Sequence, residues 1–354
     1  HMTFYNKVTN IQIEHSSMCN AACPQCLREW WGGDYSRINQ TYIPTEFYET
    51  RIPQHVYDGL EKINYCGTVG DSCTAPNFIE VCRVIKRKNP NIEISIATNG
   101  GMRTPSWWAE LASVLTPKDF VIFGIDGLAD TNDIYRVNVR WNKVMSNAQA
   151  FIDAGGRAEW QFISFAHNEH QIPAAEALSK RMGFKRFFTI YNNRFVVEDL
   201  FQKESVGKGG VALLPPKAEQ EKSILLRREN PMPTDPDEWG KIAEQQCIKC
   251  QAQETNEAYI DAETHLFPCC YLAGAKFTLD PDEKRDGYYD LWMAHGGDKI
   301  KLDRNNWDDI VNGEYYSTLI KTWTQKFREG RLIVCSGVCS SQEIKFSEYR
   351  NDKK

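Results

Sequence analysis

From residue 8 to about 197 the chain alternates short apolar strands with longer helical stretches, and this alternation restricts its fold more than any other feature. Strand candidates are IQIEH (11–15), KINYCG (62–67), EISIATN (93–99), FVIFGID (120–126), AEWQFISF (158–165) and RFFTI (186–190). Helix candidates are 21–30, 76–88, 105–115, 141–154 and 171–182, with Ala75-Pro76 and Thr104-Pro105 placing proline where a first helical turn tolerates it. Gly155-Gly156 is expected to close its helix through a left-handed cap. Regular β-α alternation predicts a parallel sheet with right-handed crossovers, doubly wound or barrel-like. In either architecture the chemistry collects at the C-terminal strand edge.

The stretch HSSMCNAACPQC (15–26) follows the first strand directly and carries Cys19, Cys23 and Cys26 at the spacing C-x3-C-x2-C. A structural zinc site closes with four ligands, commonly in two pairs. Three thiolates from one loop can instead hold three irons of a cubane and leave the fourth iron open; incidental cysteines or half of a zinc site are the competing reading. Twelve cysteines are many for a 354-residue chain. HMTFYNKVTN has no basic segment followed by an apolar one, so no signal peptide is expected, and His1 reads as an expression scar before Met2. Ligation of metal or cluster in a reducing cytoplasm therefore fits better than a disulfide framework. Net charge is −5 with pI near 5.9, which provides no global basic field for nucleic acid or anionic lipid. No apolar run approaches the ~20 residues that span a bilayer. The cationic run Lys86-Arg87-Lys88 reads as a solvated helix terminus.

The three-cysteine loop resembles the signature of the radical S-adenosylmethionine superfamily. In that family the open iron is chelated by the amino and carboxylate groups of S-adenosylmethionine. Reductive cleavage of the sulfonium then yields a 5′-deoxyadenosyl radical that abstracts a substrate hydrogen. The resemblance implies a partial (β/α)6 TIM-like barrel over 8–198 and a [4Fe-4S] cluster on Cys19, Cys23 and Cys26. It extends to CGTVGDSCTAP (66–76), where Gly70 and Asp71 stand for the family's Gly-Gly-Glu, and to ATNGG (97–101), where Thr98 and Asn99 match its Thr-Asn-Gly turn. GIDGLADTNDIYR (124–136) is similar to the family's Asp-Gly segment followed by arginine, so Asp126 and Arg136 would serve the cofactor, Arg136 pairing its carboxylate. Two positions depart from the pattern: Gln25 replaces the usual aromatic before the third cysteine, and Gly124 stands where many relatives have serine. Asn168, Glu169, His170 and Gln171 either cap the next helix or contact cofactor or substrate. Cys73 is either a small buried hydrophobe or a hydrogen-atom donor to a substrate radical, and His15 is read as a packed or supporting residue.

Residues 199–240 are rich in Pro, Gly and charge and read as a linker or irregular excursion. Beyond them lie Cys247, Cys250, Cys269, Cys270, Cys335 and Cys339, around AYIDAETHLFPCCYL (258–272), a predicted β-hairpin turning at Ala262–Thr264. This arrangement resembles the C-terminal SPASM and Twitch domains, here over 241–347 with a polar tail at 348–354. The resemblance implies one auxiliary [4Fe-4S] cluster on Cys250, Cys269, Cys335 and Cys339, with Cys247 and Cys270 as alternates; a zinc ribbon is the competing reading. Related enzymes modify peptide or protein side chains, or dehydrogenate and epimerise sugar- or aminocyclitol-like molecules, and take electrons from a donor such as flavodoxin or ferredoxin. The strand pattern begins near residue 8, which leaves no room for an N-terminal peptide-clasping domain, yet the peptide reading is placed first. A non-catalytic zinc-binding module is the alternative of a different class.

Overall fold

Each anticipated strand of the alternating region forms: β1 (Asn10–Ile13), β2 (Lys62–Tyr65), β3 (Glu93–Thr98), β4 (Phe120–Gly124), β5 (Ala158–Ser164) and β6 (Arg186–Tyr191). The computed structural model describes residues 4–191, 205–217, 236–279 and 287–339. Most of the 199–240 excursion and the whole 348–354 tail lie outside the described residues. The described chain divides into two compact units, one holding 14–45, 63–191 and 205–217, the other 4–13, 46–62, 236–279 and 287–339.

In the first unit the strand order is β6-β5-β4-β3-β2. β3 to β6 pair in parallel, with Ser95 opposite Phe120 and Val121 opposite Ala158. Crossover helices are α3 (Phe78–Lys88), α4 (Pro105–Val114), α6 (Trp141–Asp153) and α7 (Ile172–Met182), with the short α5 (Asn132–Tyr135) after β4; α1 (Thr45–Thr50) and α2 (Gln54–Gly59), which belong to the second unit from residue 46 on, were not anticipated. The apolar face of α3 buries Phe78, Val81, Cys82, Val84 and Ile85, each large side chain contributing about 1.5–3 kcal/mol on burial. Thr104 caps α4 by accepting from Trp107 N, with Pro105 in the first turn. Pro76 instead falls in the turn before α3, which starts two residues later behind Asn77. Gly155 adopts φ +90° and donates to Ile152 O, closing α6 as expected. At the α3 terminus Lys86 is not solvated: its ammonium lies 2.7 Å from the buried Asp119 carboxylate.

Residues 21–26 depart from the helix expected over 21–30, and only Leu27–Glu29 form a 3-10 turn. Ala22 N donates instead to Val137 O, and Ala21 N to the nearby Cys19 Sγ. In the second unit β1 pairs in parallel with β7 (Glu257–Ile260), and β7 forms an antiparallel hairpin with β8 (Leu266–Phe267), turning as expected.

Candidate functional site

Two buried charges staple the cysteine loop to the turn after β2. The Glu14 carboxylate accepts from Val69 N at 2.6 Å and Gly70 N at 2.9 Å. Arg28, 4% exposed, donates to Ser17 O at 2.8 Å and Val69 O at 3.3 Å, its guanidinium 4.3 Å above the Tyr35 ring. The approach is so close that a Cβ on Gly70 would lie 1.9 Å from Ser16 O. Sequence reading missed both Glu14 and Arg28; the one available signal was a charge bordering each end of the cysteine loop. His15 is fully buried, and its imidazole lies 3.0 Å from Asn77 Oδ1. Burial pushes it down to about 4, so it sits neutral, a supporting residue beneath the loop.

Cys23 is buried, and Cys19 and Cys26 are half-buried. The three thiols lie within electrostatic reach of one another. Burial pushes Cys19 up to about 12 and Cys23 up to about 11, the latter opposed by the Arg136 charge. Unligated thiols in such a place keep their protons, and a metal centre that binds them displaces those protons. The site fits a group carrying strong positive charge, and it supplies three soft donors from one loop.

The other anticipated residues surround these thiols. Asp71, 5% exposed, accepts from Cys73 N at 3.0 Å, Thr98 Oγ1 at 2.9 Å and Asn99 N at 2.9 Å. Burial raises its carboxyl above the usual range while these donors oppose the rise. Asn99 donates to Asn20 Oδ1 at 3.0 Å and reaches Cys19 Sγ at 3.6 Å. Asp126 is fully buried and accepts from Arg136 Nε at 2.6 Å and from Ile163 N at 2.6 Å. Arg136 also reaches Cys23 Sγ at 3.9 Å. Burial acts against that guanidinium, yet Asp126 and Cys23 raise it above its ordinary value, so it remains charged. A Cβ on Gly124 would lie 2.5 Å from Arg136 Nη2. The departure from serine thus has a local reason, because glycine leaves the space the guanidinium occupies. Cys73 has no exposure and packs in the 3-10 turn Ser72–Thr74. Of the residues after β5, Asn168 bridges Asp126 O and Ile163 O, and Gln171 accepts from Leu128 N. Gln25 is half-buried beside Cys26.

In the second unit Cys250, Cys269, Cys335 and Cys339 are gathered into one electrostatic group. Cys269 precedes the helix Cys270–Ala275, and Cys335 and Cys339 sit at successive turns of the helix Ile333–Val338 and its cap. Lys249 N donates to Cys339 O at 2.8 Å, joining the Cys250 segment to the last pair. Cys270 adjoins Cys269, and Cys247 is exposed. Burial pushes the Cys269 and Cys335 thiols well up. Among the described residues, the group of three ligand atoms close enough for a single ion, all within 4.8 Å, is Asp261, Glu263 and His265, not a cysteine set. Lys276 already neutralises that group at 2.5 Å from Asp261 and 2.8 Å from Glu263.

No family model matches the chain. Over 132 residues it is 26% identical to an S-adenosylmethionine-dependent nucleotide dehydratase of Thermoplasmatales archaeon (strain ISO4-H5), covering 37% of this chain and 43% of that protein. Over 124 residues it is 24% identical to the tungsten-containing aldehyde ferredoxin oxidoreductase cofactor-modifying protein of Pyrococcus furiosus, covering 35% of this chain and 32% of that one. The match thus spans less than half the length of either relative. Among solved structures, anSMEcpe with bound AdoMet and Cp18Cys peptide superposes with a TM-score of 0.54 at 16% identity, covering 97% of this chain and 96% of that one. Streptococcus suis SuiB bound to S-adenosylmethionine superposes with a TM-score of 0.51 at 17% identity, covering 93% and 77%. The chain thus shares the mostly parallel α/β fold of two structures that hold S-adenosylmethionine, and it carries the three-cysteine loop directly after β1.

Proposed function

We propose that Cys19, Cys23 and Cys26 hold a [4Fe-4S] cluster whose fourth iron takes S-adenosylmethionine, and that the enzyme modifies a peptide or protein side chain. The observation that carries the reading is the Arg136 guanidinium held between buried Asp126 and Cys23, a fixed positive charge beside the three-thiol loop. When bound, the cluster and S-adenosylmethionine together supply one-electron bond cleavage and a carbon radical able to take a hydrogen atom. The chain's own residues bind and orient. Arg136 presents its charge to the cofactor carboxylate. Asp71 has three of its roughly four acceptor positions committed to Cys73, Thr98 and Asn99, which leaves one for the cofactor ammonium. Tyr135 and Phe165, 4.7 Å apart beside Arg136, form an apolar wall that keeps water from the reacting centre.

Cys250, Cys269, Cys335 and Cys339 would hold one auxiliary [4Fe-4S] cluster in a domain spanning 241–347, and residues 8–198 would form the barrel. An external donor of the flavodoxin or ferredoxin kind supplies the electron. The peptide reading draws its support from anSMEcpe, whose structure carries a bound peptide. Anaerobic purification tests the core of the proposal: about eight irons per chain and 5′-deoxyadenosine on reduction are expected. A colourless, zinc-loaded protein prepared without oxygen overturns it. For the substrate, deuterium passing from labelled peptide into 5′-deoxyadenosine is expected; transfer from a labelled nucleotide alone replaces the peptide with a small molecule.

A further inference from the structure

The late cysteines are walled by aromatic side chains whose polar atoms are nearly all committed. Tyr5 donates to Glu257 O at 2.7 Å, Tyr316 to Leu266 O at 3.1 Å and Tyr288 to Leu272 O at 2.7 Å, while the Tyr315 hydroxyl lies 3.3 Å from that of Tyr288. The exception is Trp323. Its indole Nε1 is buried and makes no hydrogen bond of ordinary geometry. Its N–H acts on the nearby Cys335 thiol, opposing the rise that burial causes there.

Trp323 is also firmly placed. Arg331, 3% exposed, donates to Trp323 O at 2.7 Å, to Ser336 Oγ at 3.0 Å and to Gln246 O at 2.6 Å. That guanidinium ties the segment carrying Trp323 to the helix carrying Cys335. Phe4 packs edge-on against the indole at 6.2 Å. A buried Trp N–H normally finds an acceptor, and an orphaned one calls for an explanation. A neutral thiol is a weak acceptor, whereas an iron-bound thiolate carries charge and accepts strongly.

We propose that the Trp323 indole N–H donates to the Cys335 sulfur when iron is bound there, and so sets the reduction potential of the auxiliary centre. The inference rests on the auxiliary cluster of the proposed function. On reduction the centre gains one electron and one negative charge, part of which resides on its sulfurs. A donor aimed at sulfur stabilises the reduced form more than the oxidised form and raises the potential.

The test is an anaerobic redox titration of the full chain with reconstituted iron, in a background of Cys19→Ala, Cys23→Ala and Cys26→Ala that isolates the second centre. Electron paramagnetic resonance reads its reduced fraction. Trp323→Phe is expected to retain about four irons. It should also disfavour reduction about tenfold, a downward shift of ~59 mV for a one-electron couple. Replacing Trp323 with 3-benzothienyl-alanine keeps the ring shape and removes only the N–H, and should give the same shift. This second protein decides alone if Trp323→Phe does not fold. An unmoved potential in the benzothienyl protein, with iron retained, overturns the inference. Absence of iron from the parent background overturns the auxiliary-cluster reading instead.

Discussion

Cys19, Cys23 and Cys26 sit on one loop after β1, whereas Cys250, Cys269, Cys335 and Cys339 arrive on three separate segments. Their surroundings differ as much as their origins. The first group is ringed by the buried charges of Glu14, Arg28, Asp71 and Asp126 and by the half-buried Arg136. The second is ringed by Tyr5, Tyr315, Tyr316 and Trp323, with hydroxyls turned to backbone carbonyls or to one another. Fixed charge can match a zwitterionic ligand, while aromatic walls offer few polar groups. One loop brings its three thiols together locally; a set drawn from distant segments forms only once the unit has packed.

The comparison can be broken most directly through the ligands. Cys23→Ala is expected to abolish 5′-deoxyadenosine formation, whereas Cys269→Ala should leave it measurable and remove about four irons. Equal loss of cleavage in both variants would erase the distinction between the sites.

Next in size is Arg136→Met, which leaves Asp126 buried without its ion-pair partner. Breaking a buried pair this way costs about 3–5 kcal/mol. Chemical denaturation should show that loss, together with a raised requirement for S-adenosylmethionine. Wild-type stability in the variant would mean that Asp126 does not depend on the guanidinium.

His15 tests the ground beneath the first loop. Its folded value of about 4 lies below the unfolded 6.5. The unfolded chain therefore binds the proton more readily, and stability is fully present above pH 6.5 and declines as pH falls towards 4. The decline attributable to His15 is of order 3 kcal/mol. Denaturation midpoints between pH 7 and 4 should flatten in His15→Gln, and an unchanged slope would reassign the effect.

The smallest expected change is Gly124→Ala, whose Cβ meets Arg136 Nη2. Overpacking of this kind costs about 1–3 kcal/mol. The variant should bind S-adenosylmethionine more weakly by calorimetry; undiminished binding would show that the guanidinium can move aside.

Strand positions were legible because apolar residues alternating with turn signals leave few other structures, and β1 to β6 fall where the pattern puts them. The irregular path of 21–26 was not, because apolar spacing carries no sign of a long-range contact such as Ala22 N to Val137 O. α1 and α2, six residues each, were too short for a periodic signal.

By itself the sequence determined the β/α alternation, the C-x3-C-x2-C loop and the existence of a second cysteine group, since each is a local spacing. Only the tertiary structure decided that Glu14 and Arg28 staple the loop, that Gly124 makes room for Arg136, and that the Trp323 N–H acts on Cys335. Those contacts join residues 11 to 56 positions apart with no regular spacing, and several end on backbone carbonyls or amides. Every residue carries those groups, so no residue type records which of them will be met.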